Sequence, residues 1–227
     1  MRKTIVFVGP TLHADAVRAA LPDADVRPPA AVGEILDLAL AARRPARIAL
    51  IDGYFERMAA VWHKELLIAL ERGIAVYGAA SMGALRAAEL ARFGMIGTGA
   101  IYKAFASGEL VADDEVAVAH LPAAQGYRAV SDALVNLRAS LAAARERRLI
   151  RKPTHDRLLA HARAQFYRDR TWQGLVALEP ALANQPLIDQ KAADAARLLV
   201  LLNKRARAVR AVVVPRTWAL RHLIAIR

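Results

Sequence analysis

Short apolar runs alternate with amphipathic stretches through the first 92 residues, and the alternation is regular enough to assign elements. Thr4-Ile5-Val6-Phe7-Val8 is a continuous run of β-formers ending at Gly9-Pro10-Thr11, which reads as a buried first strand and its turn. His13 to Leu21 has helical spacing and is closed by Pro22. Asp25-Val26-Arg27 is a brief edge strand before Pro28-Pro29, and Ala30 to Arg44 carries Val32, Ile35, Leu36 and Leu40 at helical spacing. Arg47-Ile48-Ala49-Leu50-Ile51 is a third strand, ending at Asp52-Gly53-Tyr54. A helix follows within Phe55–Arg72, with Val61, Leu66, Leu67 and Leu70 on one side. Ile74 to Tyr77 forms a fourth strand, Gly78-Ala79-Ala80 a corner of small residues, and Met82 opens a helix of strong formers that stops at Gly94. Strand and helix in strict turn predict an α/β fold, a small, mostly parallel sheet with flanking helices.

Beyond Arg128 the period changes to that of helices alone. Ser131–Arg148 places Leu134, Leu137 and Leu141 along one face, Pro153 opens a second helix through Tyr167, and Asp189–Arg210 gives a third with Ala195, Leu198, Leu199, Leu202 and Val209 together. Val212-Val213-Val214-Pro215 reads as a final strand or a docked tail. The chain therefore divides into an α/β core over 1–128 and a basic helical region over 129–227 packed on it.

Charge follows the same division. The net charge is +12, yet residues 1–138 hold 15 cationic and 15 acidic side chains, while 139–227 hold 18 and 6. The second half is thus the whole basic surface, suited to an acidic partner protein or simply solvated. No zinc finger, helix-turn-helix or interleaving of aromatic with basic residues argues for nucleic acid. The absence of cysteine excludes disulfides, thiolate metal ligation and persulfide chemistry on this chain. Charges and prolines interrupt every apolar run that approaches membrane-spanning length, and no signal peptide is recognised, so a cytoplasmic protein without a membrane role is expected.

Chemistry is expected at the carboxyl ends of the strands. Three loops converge there: Gly9-Pro10-Thr11, Asp52-Gly53-Tyr54-Phe55-Glu56, and Gly78-Ala79-Ala80-Ser81. Ser81 stands at a strand-to-helix turn. The frame Ala79-Ala80-Ser81-Met82-Gly83 is similar to the G-x-S-x-G nucleophile elbow with its first glycine replaced, although a serine before a helix is also an ordinary N-cap. If the preceding helix starts near Val61, it spans about 18 Å to Arg72 and puts Lys64 in its first turn, within reach of Ser81. Lysine activates serine as a base only when its pKa falls, and in a chain with 27 Arg and 6 Lys a lysine here stands out, because arginine cannot deprotonate. Asp52 is a candidate to orient Lys64, or a turn residue bonding its own backbone. Tyr54 and Glu56 are candidates to line the pocket. Asp113-Asp114-Glu115 suits a hard cation or, the reading preferred here, caps a helix beginning near Glu115. His120 is read as structural or partner-facing, and His155 and His161, six apart, do not form a zinc pair. No cofactor or metal is expected.

Several blocks of this sequence resemble the TfuA-like proteins: Ile51-Asp52-Gly53-Tyr54-Phe55-Glu56, Val61-Trp62-His63-Lys64-Glu65, Tyr77 through Leu90, and Phe93-Gly94-Met95, with further similarity at Gly108-Glu109-Leu110, Asp113 to Ala117, His120, Tyr127-Arg128, Ser131 and Val135 to Arg138. The resemblance is dense over 47–138 and thins into the basic tail. It implies a partner of a YcaO enzyme, which uses ATP to activate a peptide amide oxygen for replacement, here in backbone thioamidation. It implies further that the protein binds a small ubiquitin-like sulfur carrier, hydrolyses its C-terminal thiocarboxylate with a Ser-Lys pair to release sulfide, and assists YcaO in engaging its peptide. At matching positions the pair is Ser81 and Lys64.

On that reading Ser81 attacks the carrier's terminal carbonyl and the Met82 N–H, at a helix N-terminus, is an oxyanion donor. Gly9, Thr11 and Gly53 are candidates for a second donor. The anionic thiocarboxylate calls for positive potential or a proton, for which Arg86 and His63 are candidates. Gly78 and Gly83 are expected to leave room for a thin glycine-terminated tail. The alternative is a noncatalytic adaptor docking the carrier or the peptide onto YcaO.

Overall fold

Five short strands form one parallel sheet: β1 (Thr4–Phe7), β2 (Asp25–Arg27), β3 (Arg47–Leu50), β4 (Ala75–Gly78) and β5 (Ile96–Gly97), in the order β2-β1-β3-β4-β5. The computed structural model describes residues 3–55, 58–204 and 212–225. Helices follow the strands in turn: α1 (Ala14–Ala20), α2 (Glu34–Leu40), α3 (His63–Glu71), α4 (Met82–Leu90) and α5 (Ala100–Ala106). The helical half supplies α6 (Leu134–Glu146), α7 (Lys152–Ala164), α8 (Trp172–Leu178), α9 (Gln190–Leu202) and α10 (Trp218–Ala225).

The register aligns Ile5 with Ile48 and Ile48 with Val76, so each row of side chains crosses the sheet on one face. Ile5, Phe7, Ile48, Leu50 and Val76 are buried under apolar residues of α2, α3 and α4. The alternate positions Val6, Val8, Ala49, Ile51, Ala75 and Tyr77 face Val17 and Leu21, of and just after α1, and Ala195, Leu198, Leu199 and Leu202 of α9. A parallel sheet must be covered on both faces. Helix α9, from the basic half, completes the second cover.

The chain steps from β1 to β2 on one side and then returns past β1 to β3 on the other. The carboxyl ends of β1 and β3 therefore form the switch point at which such sheets bind ligands. Helix α4 reaches that edge by an unusually close approach. A Cβ on Gly83 would overlap the Leu50 carbonyl oxygen at the end of β3, and one on Gly78 would overlap the Gly83 carbonyl.

Some elements differ from the sequence pattern for local reasons. Helix α2 is shorter than Ala30–Arg44, because Ala30 donates to the Asp52 carbonyl and accepts from Tyr54 N–H, which draws it into a bridge beside Gly53. Gly33, at φ 90, then starts the helix. No helix begins near Glu115: Asp113–Glu115 is a single 3-10 turn followed by irregular backbone. Strand β5 and helix α8 are too short to stand out as patterns. The Val212–Pro215 stretch is a docked tail, with Val214 N–H donating to Glu71, while 205–210 of the expected third helix lie outside the described residues.

The close approach of α4 is testable. Gly83→Ala is expected to cost about 3 kcal/mol through overpacking, whereas Gly73→Ala, at φ 78 with open space around it, is expected to cost only about 1 kcal/mol. Urea denaturation at unchanged m-value checks both.

Candidate active site

Asp52 organises the switch point. Its carboxylate is buried and accepts three hydrogen bonds from the loop after β1: Oδ2 from Gly9 N–H (2.8 Å) and Thr11 N–H (3.1 Å), Oδ1 from the Thr11 hydroxyl (2.6 Å). Asp52 thus neither orients Lys64 nor bonds its own turn. The Gly9 and Thr11 N–H groups are committed to this brace, which removes them as oxyanion donors. Gly53 packs against the Met82 side chain, where a Cβ would collide. Tyr54 turns its hydroxyl to that of Tyr127 at 3.4 Å, and burial, reinforced by this contact, pushes its pKa up to about 12, so it stays a neutral phenol.

The turn carrying Ser81 is strained. Ala80 has φ 67 and Ser81 N–H donates to the Ala79 carbonyl (2.8 Å), a γ-turn of the rare positive-φ type that costs an alanine on the order of 1–3 kcal/mol. Beyond it the chain enters α4, where Gly83 N–H donates to the Ile51 carbonyl at 3.2 Å. Ser81 occupies the N-cap position, but its side chain makes no capping hydrogen bond. As no buried polar side-chain atom among the described residues lacks a partner, the uncapped hydroxyl must open toward solvent space. Met82, the first residue of α4, has an N–H with no intrahelical acceptor.

That space is a small cleft of ≈ 40 Å³ between the sheet edge and the segment 113–120, room for roughly three waters at about 10–15 Å³ each. Ser81 and Met82 line one side with Asp52 and Gly53, and Val116, Ala117, Val118 and His120 line the other. The expectation that Gly78 and Gly83 make room for a tail is corrected here. The volume beside them is filled by protein backbone, and the cleft lies on the Ser81 side of the turn.

The helical half fixes the far wall. Arg138 of α6 grips Glu115 with two bonds (2.8 and 2.6 Å), the buried Arg170 holds the Asp114 carboxylate (2.6 Å) and carbonyl (3.0 Å), and the Lys191 Nζ of α9 donates to the Val116 carbonyl (2.9 Å). Ala119 N–H donates to Ser131 Oγ. Two carboxylates of the Asp113-Asp114-Glu115 trio are therefore engaged by arginines, and among the described residues no group of three or more His, Cys, Asp or Glu is placed to hold a metal. Lys191 is fully buried and its pKa is lowered by desolvation, opposed by the charges of Asp52 and Asp189. Sequence reasoning missed Lys191, although the signal that singled out Lys64, a lysine retained among arginines, applies equally to it.

Of the remaining expected residues, His63 and Arg86 meet away from the cleft. His63 Nε2 and Arg86 Nη1 both contact Glu89 Oε2 at 2.8 Å, and Arg86 Nε donates to the Val61 carbonyl, a staple joining the start of α3 to the second half of α4. Helix α3 does start late, at His63. The buried Glu65 sets that start by accepting from Trp62 N–H (3.1 Å) and from Gly33 and Leu36 N–H groups of α2 (2.7 and 3.3 Å). Lys64 accordingly lies in the first turn, half-buried, but is not among the residues lining the cleft. Glu56 lies outside the described residues. Among the described residues no helix is long and apolar enough to cross a membrane.

Comparison with known proteins gives one informative match. Residues 52–171, more than half of the chain, match the model of a family described as TfuA-like protein. No curated protein matches the chain. The matched span opens on Asp52 and takes in Ser81, His120, Arg138 and Arg170, which are the cleft and most of what braces it.

The brace itself can be probed. Asp52→Asn keeps the shape but weakens charge-assisted bonds to Gly9 and Thr11, and is expected to lower stability by about 2 kcal/mol. Chemical denaturation of the two proteins at neutral pH measures it.

Proposed function

The chain belongs to the TfuA-like family, and on that premise we propose that it is the sulfur-releasing partner of a YcaO enzyme in peptide backbone thioamidation. It hydrolyses the C-terminal thiocarboxylate of a small ubiquitin-like carrier protein and helps YcaO engage its peptide. The observation that carries the reading is the Ser81 hydroxyl. It is uncapped, held at a strained turn by the N-terminus of α4, and lines a small cleft that suits a thin, glycine-like tail.

The reaction then runs in two halves. Ser81 Oγ adds to the terminal carbonyl carbon while its proton passes to the Lys64 amine. The C–S bond breaks as sulfur takes up a further proton, hydrosulfide departs with the bonding pair, and an acyl-serine remains. Water adds to the acyl carbon, the C–Oγ bond breaks, and the carrier leaves as an ordinary carboxylate. Charge on the carbonyl oxygen during both additions is received by the Met82 N–H and the α4 dipole, a class of donor worth about 2.7–4 kcal/mol.

One observation favours the adaptor instead: Lys64 does not line the cleft. A sulfide-release assay on a thiocarboxylated carrier separates the two. Ser81→Ala and Lys64→Arg are each expected to lower release by at least about 100-fold, the arginine because it cannot accept the proton. If both release sulfide at the wild-type rate while still binding YcaO, the adaptor reading replaces the hydrolase.

A further inference from the structure

Expelling sulfur from an already anionic group needs a proton, and the sequence candidates for it are elsewhere. His63 and Arg86 are bound to Glu89 outside the cleft lining. Three ionisable side chains line the cleft besides the serine: Asp52, Asp113 and His120. Asp52 is consumed by its three bonds to the Gly9–Thr11 loop. Asp113 is exposed. A carboxylate ionised at neutral pH has no proton to give, whereas imidazole both donates and accepts there.

His120 is also held in a defined way. Its Nδ1 lies 2.8 Å from the Leu121 carbonyl, which can only accept, so Nδ1 carries a hydrogen and Nε2 is the nitrogen left to exchange a proton. The ring packs edge-on to Tyr127 at 5.7 Å. The backbone leading to it is fixed by Arg138, Arg170 and Lys191 on one side and by Ser131 and Val130 on the other. That is the rigidity a proton-transfer group requires, and it explains why so many polar bonds are spent on a segment without regular structure.

We propose that His120 is a catalytic residue of the Ser81 cleft, the acid for departing sulfur and then the base for the attacking water; this rests on the hydrolase reading above. In the first half, the Nε2–H of imidazolium gives its proton to sulfur as the C–S bond breaks, and sulfur leaves with the bonding pair as hydrosulfide. In the second, neutral Nε2 takes a proton from water as the oxygen adds to the acyl carbon. The Ser81 oxygen, released with its electron pair, recovers the proton held by Lys64. The sum is thiocarboxylate plus water giving carboxylate, hydrosulfide and one proton.

The test measures sulfide release from a ubiquitin-like carrier bearing a C-terminal thiocarboxylate, with wild type, Ser81→Ala, His120→Asn and His120→Ala. Asparagine keeps a donor near the Leu121 carbonyl and removes Nε2, so the fold is spared. His120→Asn is expected to lose about 100-fold in release with carrier binding and Tm unchanged, and added imidazole is expected to restore part of the rate to His120→Ala but not to Ser81→Ala. A purely structural histidine would give no imidazole rescue. If His120→Asn keeps the wild-type rate while Ser81→Ala is inactive, the His120 role is overturned and the hydrolase stands. If wild type is no faster than Ser81→Ala, both fall.

Discussion

The site depends first on how closely α4 can approach the sheet. Without a side chain at 83 or 78, the first turn of the helix rests directly on the ends of β3 and β4, with Gly83 N–H bonded to the Ile51 carbonyl. This contact forces the chain to turn within three residues, which puts Ala80 at positive φ and leaves Ser81 at the N-cap with its hydroxyl making no cap bond. Strain of this kind persists only where the surroundings over-determine it. Here the determinants are backbone contacts on both sides of the turn.

The second wall of the cleft comes from outside the sheet. The segment 113–120 has only a 3-10 turn and an isolated antiparallel bridge of His120 to Ala129 as regular structure, and arginines and a lysine projecting from or near helices α6 to α9 pin the rest. The cations divide by chemistry. Arg138 meets the Glu115 carboxylate with two parallel bonds and Arg170 spans the Asp114 carboxylate and carbonyl, while the fully buried Lys191 donates to the Val116 carbonyl. Part of the basic excess of the second half is therefore architectural: it welds that half to the cleft. Helix α9 does both tasks, covering the sheet with its leucines and reaching the cleft wall with Lys191.

The sheet and the serine turn were legible because both are local. Runs such as Thr4–Phe7 and Arg47–Leu50 declare buried parallel strands, and the small-residue corner before Met82 declares the elbow. The late start of α3 was readable from its length, although its cause, Glu65 reaching back to α2, was not. What sequence spacing does not carry is which distant groups meet. Asp52 bonds a loop 41–43 residues away, Lys191 a carbonyl 75 residues away, and His120 comes to the Ser81 cleft only because that segment is pinned. Gly78 and Gly83 look alike in either role, room for substrate or room for backbone, and only the packing of α4 decides between them.

The central claim is that Ser81 is a nucleophile rather than a helix cap. Intact-mass spectrometry of the protein quenched within its first turnover on a thiocarboxylated carrier tests it directly. The account predicts a covalent adduct of protein and carrier that has lost sulfur, mapping to Ser81. Sulfide release that proceeds at full rate with no such adduct at any quench time would contradict it.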